Sequence, residues 1–155
     1  METSTGLTIR LAMEHDTANI HRVFVSSIRA IDPAYYSESQ KQAWVEAVLP
    51  DSWGTRLLEF EFKVAALNDE IVGFVSWSET DIEHVYVGGE HGKKGIGNQL
   101  MQAALDYFGH DEICLTASLN AVDFYKKLGF VEDECLIKQR GGIDIPCIRM
   151  KRLAV

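Results

Sequence analysis

Apolar positions along this chain follow two spacings, and the changes from one to the other mark its elements. Residues Leu7–Ala12 alternate apolar and polar, the period of a half-buried strand. Beyond Asp16, a residue type that caps helices, Ile20, Val23, Phe24, Ile28 and Ile31 recur at three and four, the spacing of an amphipathic helix. Pro33 ends that helix, and a second, shorter one is predicted over Ser39–Val48. The apolar runs FKVAAL and IVGFVSW flank Asn68-Asp69-Glu70 and read as an antiparallel hairpin. A further strand, IEHVYV, runs into a glycine-rich turn, after which Leu100, Met101, Ala104, Leu105 and Phe108 mark one helix face from Asn98 onward. The strand ICLTA, a short helix NAVDFYKKLG ended by Gly129, and two strands over Phe130–Lys138 and Ile145–Arg152 around Gly141-Gly142 complete the chain. The predicted order β-α-α-β-β-β-α-β-α-β-β is that of a mixed α/β domain, and its crossover helices require at least one parallel strand pair.

Composition narrows what such a domain does. At 155 residues the chain is the size of a single domain, able to bury roughly two thirds of its unfolded surface. It is 46% apolar with a formal net charge of −8, which argues against nucleic acid as the main ligand. A small polyanion stays possible, because a local nest of amides and lysines overrides the global field. The first residues, METSTGLTIRLAMEH, lack the apolar core of a signal peptide. No run approaches the roughly 18 apolar residues of a membrane span, so a cytoplasmic chain without a membrane partner is expected. Cys114, Cys135 and Cys147 lack CxxC spacing, as reduced thiols do, and each reads first as a small buried hydrophobe. The five histidines are scattered, so no metal site is expected.

The stretch VYVGGEHGKKGIGNQLMQAA (85–104) carries the first chemistry. A magnesium-nucleotide P-loop needs a glycine five positions before Gly-Lys-Ser/Thr; here Val87 stands there, and Lys94 occupies the hydroxyl position. A dinucleotide fingerprint needs three glycines, and only Gly95 and Gly97 fit, with Leu100 at the third position. Two readings survive on spacing. Either the amides converge on an anion at the start of the following helix, or the glycines only make a tight turn.

Together with LTASLNAVDFYKKLGF (115–130), this stretch resembles the GCN5-related N-acetyltransferases, the GNAT family. The first segment is similar to the family's Gln/Arg-x-x-Gly-x-Gly/Ala pyrophosphate loop, the second to its Asn-x-x-x-x-(Phe/Tyr)-Tyr-x-x-x-Gly-Phe ending. The two occur in the family's order, and the predicted elements match its fold along nearly the whole chain. The resemblance implies a mostly antiparallel sheet with splayed central parallel strands, about four flanking helices, and acetyl-CoA as cosubstrate. It places the acetyl group and pantetheine against the backbone of Val85, Tyr86 and Val87, and the pyrophosphate on Gly92, Lys93, Lys94, Gly95, Ile96, Gly97 and Asn98. Gly92 departs from the pattern, standing where the family has Gln or Arg, which removes one side-chain contact and leaves the amides to carry the anion.

The same resemblance makes Tyr125 the proton donor to the departing CoA sulfur, and its phenol suits a thiolate leaving group; packing beside Phe124 and Leu128 is the plainer reading. Asn120 caps its helix, contacts the pantetheine, or does both. For the base that takes the amine proton, Glu83 lies in the strand where the family often carries a glutamate. Strict alternation sets it on one face with Val85 and Val87, and His84, the rival base, on the other with Ile82 and Tyr86. His91 is a further phosphate candidate in the loop. The acceptor pocket is expected between Ile28–Trp44 and Lys138–Pro146, where Tyr35, Tyr36 and Trp44 offer aromatic surfaces for a cationic amine or else simply pack a helix on the sheet. The implied function is acetyl transfer to a primary amine, a small molecule sooner than a protein, directly in a ternary complex by a monomer or homodimer. The alternatives are a catalytically silent acyl-CoA sensor and an interaction protein that keeps only the fold.

Overall fold

The computed structural model describes residues 6–92 and 94–154. In chain order the elements are β1 (Leu7–Leu11), α1 (Thr17–Arg29), α2 (Glu38–Glu46), α3 (Trp53–Glu59), β2 (Glu61–Leu67), β3 (Glu70–Trp77), β4 (Asp81–Val87), α4 (Ile96–Phe108), β5 (Ile113–Ser118), α5 (Val122–Lys126), β6 (Val131–Arg140) and β7 (Ile143–Arg152). The strands form a seven-stranded sheet in the order β1-β2-β3-β4-β5-β7-β6. Every neighbouring pair is antiparallel except β4 and β5, whose link through α4 is the crossover that the pattern required.

Two hairpins show how local chemistry sets the register. Asn68 and Asp69 take φ of 52° and 71°, the left-handed pair of a two-residue turn, and these are the non-glycine types that tolerate it. Gly141 and Gly142 do the same at 56° and 78° between β6 and β7. That tight turn lets β6 and β7 run further toward each other than the apolar pattern alone indicates, to Arg140 and Ile143.

Helices cover both sheet faces. On one, α4 lays Ile96, Leu100, Met101, Ala104, Leu105 and Phe108 against Val75, Trp77, Ile82, Ile113, Leu115 and Met150. On the other, Ile20, Val23, Phe24 and Ile28 of α1 meet Phe62, Val64, Ile71 and Phe74. Helix α3 was absent from the expected order. Its seven residues, WGTRLLE, show no repeating apolar stripe, and Leu58 stands 90% exposed. One residue anchors it: Trp53 is fully buried, edge-on to Phe24, Phe62 and Phe74. Asp16 corrects a second expectation. Its side chain does not cap α1; it accepts the Met13 amide at 2.7 Å and the Arg10 guanidinium at 2.8 and 3.0 Å.

The α1–α2 connection is fixed from inside. The buried Lys41 ammonium donates to the carbonyls of Arg29 and Ile31, answering the negative end of α1 with a cation. Ser37 caps α2 by accepting the Gln40 amide, while the Gln40 side chain accepts the Ser37 amide in return. These ties hold Tyr36 and Trp44 over the middle of the sheet.

Candidate active site

Strands β4 and β5 pair only through Asp81↔Cys114 and Ile82↔Leu115, and then part. Beyond Ile82 the two strands diverge around a cleft of about 170 Å³ lined from both faces of the sheet. The Gly88 amide donates to Val72 O at 2.8 Å, toward β3. Amides alternate along a strand, so those of Val87 and Val85 point the other way, into the splay, while that of Tyr86 turns to β3. Tyr86 therefore differs from its neighbours: its ring, packed edge-on to Phe24, lines the cleft, and its backbone belongs to the sheet.

A bulge adjusts the other end of β4. Ser76 pairs with His84 and Trp77 with Ile82, so Glu83 is an extra residue on β4. The strict alternation expected from sequence fails at this point. Ile82 packs on the α4 side with Val85 and Val87, while Tyr86 and the His84 ring lie with the aromatics of the α1 side. Glu83 is released to line the cleft. Its carboxylate accepts the Ser78 hydroxyl at 3.3 Å, and burial, with Asp81 nearby, raises its pKa above the usual carboxylate value.

His84 also touches the cleft but is walled by Trp53, Phe60, Phe62 and Phe74 and bonded to Ser76 Oγ at 2.5 Å. Burial, helped by the charges of Arg56 and Lys138, pulls its pKa down to about 3. The ring is neutral at physiological pH and is held as a core aromatic. Tyr125 enters from α5, 7% exposed, with its ring edge-on to Phe124 and its phenol at the cleft. Burial pushes that phenol well above its usual pKa, so it stays protonated.

At the open end of the splay, the chain turns through Gly89–His91 and reaches α4 at Gly95, whose φ of +80° only glycine adopts without strain. No side chain caps α4, and the first of its amides to find a carbonyl is that of Gln99, donating to Gly95 O at 3.2 Å. The earlier amides, including Gly97 and Asn98, form the exposed positive end of a 13-residue helix. Helix α4 begins at Ile96, two residues before the expected start at Asn98. Lys93 lies outside the described residues, and Lys94 is exposed. The glycines have separate tasks. The Gly89 amide donates to Ser26 Oγ at 2.9 Å, and a Cβ there would lie 2.6 Å from that of Ala30. At Gly97 a Cβ would lie 3.3 Å from the Phe124 ring, whereas Gly92 has open space around it. Substituting Gly89 by alanine is expected to lower unfolding stability by about 1–3 kcal/mol, because the loop root has no room to give; chemical denaturation of the two proteins measures the difference.

With this geometry in view, comparison with known proteins decides the family. Residues 32–153 match the family model described as an acetyltransferase (GNAT) domain. The chain belongs to the GNAT acetyltransferases. It is 25% identical over 125 residues to the uncharacterized N-acetyltransferase YafP of Escherichia coli, covering 81% of each chain. The crystal structure of a GCN5-related N-acetyltransferase from Rhodopseudomonas palustris superposes with a TM-score of 0.90 at 26% identity, over 100% of this chain and 99% of that one. The PaiA N-acetyltransferase of Thermoplasma acidophilum, solved in complex with coenzyme A, shares the fold at a TM-score of 0.75 and 20% identity, over 95% of this chain and 98% of that one.

Within this GNAT chain, Tyr125, Glu83, Val85, Tyr86, Tyr36 and Trp44 line one cleft. Tyr35 does not: it is 47% exposed and outside the lining. Tyr36 is nearly fully buried, and its hydroxyl is already engaged, donating to Pro146 O at 2.6 Å and accepting the Leu119 amide at 2.9 Å. It ties the segment before α2 to β7 and to the turn that follows β5, and its ring lines the cleft. Trp44 packs edge-on against it at 5.4 Å. Asn120 is not the cap of α5; it sits exposed in a 3-10 turn, and Ala121 holds the cap position. His91 has Nδ1 buried without a partner among the described residues. Sequence reasoning set the Lys138–Pro146 stretch at the acceptor pocket but singled out no residue of the polar wall from β5, β6 and β7: Thr116, Ser118, Lys138, Arg140, Cys147 and Arg149 all line the cleft. Arg149 meets Asp81 at 2.6 Å and Thr116 Oγ1 at 3.3 Å. Among the described residues no helix is long and apolar enough to cross a membrane.

Proposed function

We propose that residues 1–155, acting as one domain, move an acetyl group from acetyl-CoA directly to the primary amine of a small molecule. The observation that carries this reading is the parting of β4 from β5 beyond Ile82↔Leu115. It turns the amides of Val85 and Val87 toward the place where a thioester oxygen gains charge, an oxyanion-type arrangement. The α4 N-terminus and the loop through Gly92, Lys93, Lys94 and Gly95 favour a pyrophosphate at the open end. The coenzyme A complex of the Thermoplasma neighbour supports the same choice of ligand.

In the transfer, the amine nitrogen bonds to the acetyl carbon as the carbon–sulfur bond breaks. Glu83 takes the amine proton, directly or through water, and Tyr125 gives a proton to the departing thiolate. Burial makes Tyr125 a weaker acid than a free phenol, yet the same dry cleft destabilises the thiolate, so the two stay matched. Direct transfer is favoured over an acetyl-cysteine intermediate. Cys147 lines the cleft, but burial pushes its thiol up and away from the thiolate form that attacks.

Initial rates measured with both substrates varied test the order of events. Intersecting lines are expected; parallel lines would reveal a covalent enzyme intermediate and remove the ternary complex. Loss of Glu83 tests the base. Its raised pKa places the acidic limb of kcat/KM above the usual carboxylate value, with activity falling as pH drops through it. Glu83→Gln is expected to lower the rate by about 10²-fold and to abolish that limb; a retained limb would assign the proton to another group. Gly92 has φ of −63°, and a Cβ added there would meet no atom within 4 Å, so the position accepts a side chain. Gly92→Arg is therefore expected to leave stability unchanged and to tighten acetyl-CoA binding by about fivefold, read by calorimetry.

A further inference from the structure

The acceptor half of the cleft carries a charge pattern opposite to that of the whole molecule. Cross-strand pairs lie on one face of a sheet. The pairs Thr116↔Arg149, Ser118↔Cys147 and Lys138↔Ile145, with two-residue alternation between them, set one face of β5, β7 and β6 toward Tyr36 and Trp44. Three cations line that face in a protein of net charge −8: Lys138, Arg140 and Arg149. Arg149 is answered by Asp81 at 2.6 Å. Among the described residues Lys138 forms no ion pair, and the Arg140 guanidinium donates only to the neighbouring Gln139 carbonyl, at 2.9 Å. The charge of Lys138 is felt at Glu83, His84 and Cys147, so it acts on the cleft and not only on solvent.

A simple alkylammonium is a poor match for this wall. It would find Asp81 already paired with Arg149, one further carboxylate, Glu83, and two cations, Lys138 and Arg140, that form no ion pair among the described residues. A molecule with an anion on the same skeleton is drawn in by the pair and can leave its amine beside Glu83. We propose that the acceptor is an amine that also bears an anionic group, a carboxylate or a phosphate, held by Lys138 and Arg140 on the β6–β7 wall. The proposal rests on the acetyl-transfer reading above and names the acceptor class for the same cleft.

The test is a matched-pair acceptor screen with purified protein and acetyl-CoA, read by release of CoA thiol. Each amino acid in a set of α-, β- and γ-amino acids is paired with its carboxamide, and each aminoalkyl phosphate with the corresponding amino alcohol. At least one anionic member is expected to exceed its neutral partner in kcat/KM by about tenfold or more, the scale of one charge-assisted contact. Which arm responds separates carboxylate from phosphate. In Lys138→Met and Arg140→Gln that preference is expected to shrink by about tenfold, mainly through KM. Thermal shift with acetyl-CoA on each variant shows that it is folded and loaded. Neutral partners used as well as anionic ones, a preference unchanged in both variants, or acetyl-CoA binding with no member of any pair acetylated would each overturn the inference. Absence of acetyl-CoA binding, or of acetylation of every amine in the set, would overturn the acetyl-transfer reading beneath it as well, whereas acetylation without anionic preference overturns this inference alone.

Discussion

Tyr125→Phe is expected to lower turnover by about 10²-fold or more while acetyl-CoA affinity falls by no more than the roughly tenfold that one hydrogen bond is worth. The asymmetry follows from where the ring sits. Its body packs edge-on to Phe124 and Phe130 in the α4–α5 core, contacts that phenylalanine keeps. Only the hydroxyl at the cleft is lost, and with it the proton for the departing sulfur. Stability should change little, since among the described residues the hydroxyl makes no bond to another protein group. Single-turnover kinetics and calorimetry separate the two quantities. A variant that loses affinity and turnover together would make Tyr125 a binding residue; unchanged turnover would remove it from the chemistry.

The second large effect is on stability in acid, through His84. The folded protein holds this imidazole neutral with a pKa of about 3, against about 6.5 in an unfolded chain. The unfolded state therefore binds a proton that the folded state refuses, and stability falls as pH drops below about 6.5, by roughly 1.4 kcal/mol per pH unit, until about 3. Between pH 7 and pH 5 the loss from this one group is up to about 2 kcal/mol. His84→Gln should be less stable at pH 7, because it gives up ring contacts with Trp53 and Phe62, yet lose less on acidification. The carboxylates titrate in both proteins, so the difference between the two pH slopes isolates the histidine. Equal slopes in urea unfolding at pH 7 and pH 5 would show that His84 takes up its proton in the folded state, and would return it to candidacy as the base.

Periodicity reveals most of this fold because most elements bury one clean face. The α4 stripe Leu100, Met101, Ala104, Leu105 and Phe108 is buried throughout, and the two hairpins form where Asn-Asp and Gly-Gly supply positive φ. Helix α3 was not legible because a single tryptophan anchors it, without any repeat of apolar positions. The face of Glu83 was misjudged because a bulge shifts the phase of β4 by one residue, and nothing in IEHVYV marks where a pleat slips. Of the three aromatics expected at the acceptor pocket, Tyr36 and Trp44 line the cleft and Tyr35 does not. Tyr36 and Tyr35 are adjacent letters, and only the tertiary bonds to Pro146 and Leu119 choose which one turns inward.

The cationic wall was hidden for a related reason. Lys138 and Arg140 sit on an edge strand, where alternating charges ordinarily face solvent; their neighbourhood is set by β7 and by the helices packed above it. The glycine loop, in contrast, could be read in part. Gly95 makes the left-handed turn into α4 that either reading of the spacing allowed, while the need for Gly89 arises from α1, more than fifty residues away in sequence, through Ser26 and Ala30.

The most direct test of the central claim is a count of products from one reaction: free CoA thiol against acetylated amine, with purified protein, acetyl-CoA and the paired amine set. The β4–β5 splay, the α4 N-terminus and the Tyr125–Glu83 pair together predict one thiol per acetylated amine, and no release above background when the amine is omitted. Binding of acetyl-CoA with no thiol released for any amine would contradict that claim and leave a domain that holds the cosubstrate without transferring from it.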